Sequence, residues 1–258
     1  MRLYFSNYIQ SNTVLTPSSS AANQDVDILK QPHLTSTFDF GSNTANLIID
    51  FLEDKNIGSC VIDIGELTGL GTYTLEGNSS DVWTSPAFST SLIVTETMLY
   101  ADVDDEEYRY WRIVFSDSVD IKIGWVQLGA GYLQMPGVSL TTTLSYKSTS
   151  SRSLSISGQV YGDLGYQYLE TSFDFVNIGE TETMFADGTL VAGRVEMLNM
   201  WKEVEGVKPI WCILWEKNIS LYPPVFCVLN QSSIDFNKEI YKSGGFTYKT
   251  KLNIMEVK

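Results

Sequence analysis

The sequence predicts a mainly β protein: an N-terminal β-sandwich, then a second small β-barrel or sandwich domain with about one helix. Three observations predict this. Short runs that are apolar or alternate apolar with polar recur along the chain. Turn residues such as NIGS, EGNSSD and SDSVD separate them. The charge balance shifts near the middle, with 6 Lys/Arg against 18 Asp/Glu in residues 1–140 and 11 against 13 in residues 141–258. At 258 residues and 43% hydrophobic content the chain is long enough for two cores.

The elements follow in order. Residues 1–24 read as a polar N-terminal arm, because QSNTVLTPSSSAANQ at 10–24 is small, polar and uncharged. Residues 25–135 read as the β-sandwich. LIIDFL at 47–52 and CVIDI at 60–64 are two short apolar runs. GTYTLEG at 71–77 alternates between glycines, and SLIVTETMLY at 91–100 is rich in strand formers. In YRYWRIVF at 108–115, Trp111, Ile113 and Phe115 share one face while Tyr110 and Arg112 share the other. In IKIGWVQLG at 121–129, Ile121, Ile123 and Trp125 share a face, so Trp111 and Trp125 are expected in the core. GAGYLQMPGV at 129–138 marks the boundary, and residues 136–258 form the second domain.

The second domain repeats the alternation in SLSISGQVY at 153–161, YLETSFDFV at 168–176 and GFTYKTKLNI at 245–254. KPIWCILW at 208–215 and PVFCVL at 224–229 are continuous apolar runs, read as buried strands. DGTLVAGRVEMLNMWKEVEG at 187–206 is the helix, with Leu190, Val191, Val195, Leu198 and Trp201 near helical spacing, Asp187 as its cap and Gly193 as an internal weakness.

Composition excludes several functions. A net charge of −14 and a pI near 4.4 oppose nucleic-acid binding by the whole surface and polybasic membrane attachment. No apolar stretch of about 18 residues predicts membrane insertion. No apolar secretory segment is read at the N-terminus, so synthesis in a cytoplasm, without export by the general secretion route, is expected. The single histidine, His33, leaves little room for His-centred triads and reads as an ordinary loop residue. GxSxG, Walker and GxGxxG patterns are lacking, and the chain is expected not to be an enzyme. Cys60, Cys212 and Cys227 each lie in an apolar run and read as buried thiols without zinc spacing.

Two constellations remain as candidates. DVDDEE at 102–107 is the densest acidic run; Asp102, Asp104 and Asp105 are candidate oxygen ligands for a structural calcium, against the alternative of a solvated loop relieved by Arg109 and Arg112. No other cofactor is implied. Trp83 lies in the polar, turn-rich SSDVWTSP and, with Asp81, is the candidate glycan contact; the alternative is a loop anchor closing the bottom of the sandwich.

The order of NLIIDF, TYTLEGNSSDVWTSP, the acidic run, YRYWRIVFSD and IKIGWVQLG resembles the galactose-binding-like, discoidin-type jelly roll, in a version common in bacteriophage tail proteins. The resemblance covers roughly residues 10–135. It implies a structural component of a phage tail tip or baseplate, located in the virion. It also implies other tail proteins as partners, with several copies or a homo-oligomeric ring per particle. Such jelly rolls often bind saccharides through loops at one end and often carry calcium, so the alternative is a module that attaches the virion to host glycans.

Overall fold

A computed structural model describes residues 1–21, 24–32, 36–68, 70–135, 143–154, 160–163, 165, 167–184, 190–205, 208–214, 224–240 and 246–257. His33 and Asp187 lie outside them. The chain divides into two compact units: residues 2–132 with 212–225, and residue 1 with 133–211 and 226–258. Both are built of antiparallel strands, and the protein is mainly β, as the sequence predicts.

The first unit contains β1 (Arg2–Tyr4), β2 (Val14–Pro17), a 3-10 turn (Val26–Lys30), β3 (Phe38–Asp39), β4 (Thr44–Glu66), β5 (Thr72–Asn78), β6 (Phe88–Ser91), β7 (Ile93–Val94), β8 (Met98–Ser116) and β9 (Lys122–Gly129). The predicted runs at 47–52 and 60–64 are two halves of one strand, β4. Its pairing with β8 shifts register between Asp50 and Lys55 and again between Ile57 and Ser59. Such irregularities bend a strand. At the first, Leu52 adopts φ 66°, and its N–H donates to Asp50 Oδ1 at 2.7 Å.

The bend lets one strand serve two layers. Thr44–Asp50 of β4 pairs with the C-terminal half of β8, which continues to β5 and β6, while β2 pairs on the other edge of β4. Ser59–Glu66 pairs with β9, and β9 with β3. Leu47, Ile49, Leu75, Trp111, Ile113 and Phe115 of the first layer join Cys60, Ile62, Leu99, Ile123, Val126 and Leu128 of the second in one buried cluster. Trp111 and Trp125 are both buried, and Trp111 joins this cluster as its parity predicts. The β4–β9 register slips by one between Ile62 and Ile64, so Val126 and Leu128, not Trp125, follow Ile123 into the cluster, and the predicted shared face of Ile121, Ile123 and Trp125 is corrected. Part of the polar segment 10–24 is tied into this sheet: Val14–Pro17 forms β2, and Leu15 joins the core because alternation turns it inward.

The remaining elements, most of them in the second unit, are β10 (Leu133–Gln134), β11 (Thr143–Ser148), β12 (Ser151–Leu154), β13 (Val160–Asp163), β14 (Gln167–Ile178), β15 (Thr183–Met184), β16 (Leu190–Val191), α1 (Arg194–Val204), β17 (Ile210–Ile213), β18 (Val225–Leu229), β19 (Asn237–Ile240) and β20 (Phe246–Glu256). The order β18–β20–β14–β11 runs across its main sheet, with β19 also on β20. Leu169, Thr171, Phe173 and Phe175 are buried along β14, matching the predicted alternation. Trp211 and Phe226 pack with ring centroids 5.1 Å apart.

Two readings of this half are corrected. Leu154 and Val160 face each other across the β12–β13 ladder instead of sharing one strand. The helix starts at Arg194, not near Asp187, since Leu190–Val191 is strand β16. Gly193 is the N-cap. A Cβ there would stand 2.3 Å from the Thr181 carbonyl oxygen, so the close approach requires glycine. Its N–H donates to Glu196 Oε2 at 2.9 Å, and the next two N–H groups bond to the Gly179 and Glu180 carbonyls. These contacts satisfy the donors that a helix start leaves open.

Candidate functional site

Alternation along β8 places Trp111 inward and Arg112 outward. Arg112 faces Glu76 of β5 in register. Arg112 Nε donates to Glu76 Oε2 at 2.7 Å, and Nη2 reaches the same oxygen at 2.5 Å. The two side chains retain 19% and 14% exposure, so the pair is held in a partly dry setting where it is worth more than a surface ion pair.

The segment after β5 folds back over this pair. Asn78 Nδ2 donates to the Val82 carbonyl at 2.7 Å, and Val82 N–H to the Ser80 carbonyl at 2.8 Å. These bonds aim Trp83 at Arg112, whose guanidinium carbon lies 4.6 Å from the indole ring centre. Trp83 Nε1 donates to Asp81 Oδ1 at 2.6 Å. The indole is half-buried, Asp81 is exposed, and the neighbouring Val82 is 55% exposed.

The structure therefore brings the two predicted glycan-contact residues together. Trp83 is in neither the buried core cluster nor the hydrophobics packed against it. Arg112 and Glu76 complete the site and were not singled out. The outward parity of Arg112 was readable; its pairing with Glu76 depends on strand register, which the sequence does not state.

A second stacked arginine lies nearby on β8. Arg109 makes a two-pronged bond to Asp50, Nε to Oδ1 at 2.8 Å and Nη2 to Oδ2 at 2.9 Å, and lies 4.8 Å from the Tyr110 ring centre. The Arg109 hydrogen bonds hold the Asp50 carboxyl below the usual carboxylate range.

The acidic run is placed differently from the solvated-loop reading. Residues 102–107 lie inside β8, not in a loop, at the point where its register with β4 shifts. Arg109 and Arg112 are committed to Asp50 and Glu76, so neither relieves it. Asp102 pairs with Arg2 and accepts from the Tyr4 hydroxyl at 2.9 Å. Asp104 is exposed, buried Val103 lies between the two, and the side chain of Asp105 is outside the described set. Among the described residues no three His, Cys, Asp or Glu side chains converge to hold a metal.

Cys60, Cys212 and Cys227 are buried and form no disulfide among the described residues, and burial pushes the Cys60 thiol well above its usual range. Burial also pushes the Asp63 carboxyl up to about 7. No helix among the described residues is long and apolar enough to cross a membrane.

No family model matches the chain, and no curated protein matches it. Solved structures are similar to about half of it. A fucose-binding module of Streptococcus pneumoniae is 15% identical, with 48% of this chain and 96% of that chain covered and a TM-score of 0.41. The lectin domain of lectinolysin, solved with Lewis B antigen, is 11% identical over 48% and 96%, TM-score 0.41. A family 32 carbohydrate-binding module of C. perfringens, solved with galactose, is 10% identical over 50% and 98%, TM-score 0.40. At this distance the ligands are properties of those modules.

Proposed function

We propose that the first unit is a non-catalytic carbohydrate-binding module whose contact surface is Trp83 with Asp81, backed by Arg112 and Glu76. One observation carries the reading: a tryptophan on the outer side of the sheet, outside the core, held still by a hydrogen bond and an arginine stack. A fixed aromatic ring offers an apolar face to the C–H side of a sugar, and an adjacent carboxylate accepts from its hydroxyls. Fixing both groups before binding lowers the entropy cost of association. Asp81 and Glu76 already accept from Trp83 and Arg112, so no bond-breaking step is assigned to them.

A glycan array with the wild-type chain and the Trp83→Ala variant tests this. Binding to at least one glycan, lost in the variant, is expected. Retention of a glycan by the variant at unchanged strength would assign the binding elsewhere. Weak single-site binding is enough where many copies share one particle. Incorporation into a virion tail, with other tail proteins as partners, is a separate proposal about location. It rests on the sequence resemblance and is tested by co-sedimentation with particles.

A further inference from the structure

The second unit holds a polar cleft of about 880 Å³ between the outward side of β14 and β20 and the segment 230–237. That segment is pinned along β20 by its own side chains. Gln231 Nε2 donates to the carbonyls of Ser233 at 2.9 Å and Lys251 at 3.3 Å, and Gln231 Oε1 accepts from Asn253 N–H at 2.7 Å. Thr250 Oγ1 donates to the Asp235 carbonyl at 2.7 Å. The wall is therefore shaped before any ligand arrives.

The floor is formed by Asp174 and Lys251, direct cross-strand partners on β14 and β20. Such partners hold their Cβ atoms about 5 Å apart. They form no ion pair with each other, and among the described residues neither side chain has another hydrogen bond or ion pair. A carboxylate only accepts and an ammonium only donates. Side by side and uncommitted, they complement two adjacent hydroxyls, one donating to Asp174 and the next accepting from Lys251. The two charges cancel, so the floor favours a neutral ligand over an ion. Phe175 is buried in its own strand and offers no stacking face, so recognition rests on hydroxyls.

We propose that this cleft is a second saccharide site, separate from Trp83, that takes neutral sugars through a vicinal diol on Asp174 and Lys251. The test is an NMR titration of the 15N-labelled full chain with methyl galactopyranoside and methyl mannopyranoside. Their fully O-methylated forms serve as controls without hydroxyls. Saturable shifts are expected at the amides of residues 230–237 and 249–253, absent with the controls. Asp174→Asn and Lys251→Met should each weaken them about tenfold, the effect of losing one hydrogen bond to a charged group. Both residues lie on the outward side of the sheet, and thermal melts check that the variants fold. The Trp83 indole N–H reports the other site independently. Silent cleft amides with both sugars, or shifts that survive both substitutions, would overturn the proposal whatever Trp83 does.

Discussion

Each unit lays an arginine over an aromatic ring and ties it to a glutamate, but the two stacks serve different ends. In the first, Arg112 lies over Trp83 and bonds to Glu76, with the charged pair 19% and 14% exposed. In the second, Arg194 lies 5.2 Å from the Tyr248 ring centre and bonds through Nε to both oxygens of Glu180 at 3.1 Å, with the pair 31% and 48% exposed. The Arg194 hydrogen bond, then that of Tyr248, lowers the Glu180 carboxyl to about 2. Arg194 is the first residue of α1, so this stack fastens a helix start, whereas the Arg112 stack holds a ring at a surface. The same three groups fasten a helix start where water screens them and hold a surface ring in place where the sheet shields the ion pair.

Four substitutions sharpen or break that contrast. The largest effect is expected from Glu76→Ala, which leaves a mostly buried guanidinium without its partner and should cost about 3 kcal/mol in denaturant melts. A cost equal to that of a surface pair would show that the shielding is weak. Gly193→Ala drives a methyl against the Thr181 carbonyl at the start of α1 and should cost about 2 kcal/mol. Loss of the Arg194–Tyr248 contact should accompany it, read from the tyrosine ring resonances. Trp83→Ala should remove only about 1 kcal/mol of stability, the scale of a cation–π contact, while abolishing glycan retention. If stability fell as far as with Glu76→Ala, the ring would be an anchor after all.

The smallest effect belongs to Glu180→Gln, which should leave the melting midpoint of the protein within error because its pair is exposed. A pH titration reads it better. A carboxyl lowered from 4.5 to about 2 contributes its contact above pH 4.5 and loses it as pH falls toward 2. The Tyr248 resonances should follow that window in the wild type and stay flat across it in Glu180→Gln.

Local patterning was legible, and long-range register was not. The alternation through Trp111, Ile113 and Phe115, and through Leu169 to Phe175, predicts which side chains are buried. It does not reveal that 47–52 and 60–64 belong to one bent strand, because the bend arises from how β4 pairs with β8. The acidic run read as a loop because charge usually marks solvent; β8 carries it where the ladder slips, with Asp102 offset by Arg2, a hundred residues earlier. Gly193 read as a flaw in a helix because its reason, the Thr181 backbone, is distant in sequence. Trp83 and Asp81 were legible because they are two residues apart in one turn. The cleft floor was not, since Asp174 and Lys251 meet only through the β14–β20 register.

The bent strand β4 has a further consequence in time. Leu47–Asp50 has β2 on one edge and β8 on the other, and Ser59–Ile62 has β9 and β8. A strand bonded on both edges is not freed when an outer strand frays. Exchange of its amide hydrogens with water waits for both layers to part together, so these two stretches should be the slowest in the first unit to take up deuterium. Short outer strands such as β3 and β6 should exchange long before them, and the spread between the two rates measures how firmly the two layers are held as one.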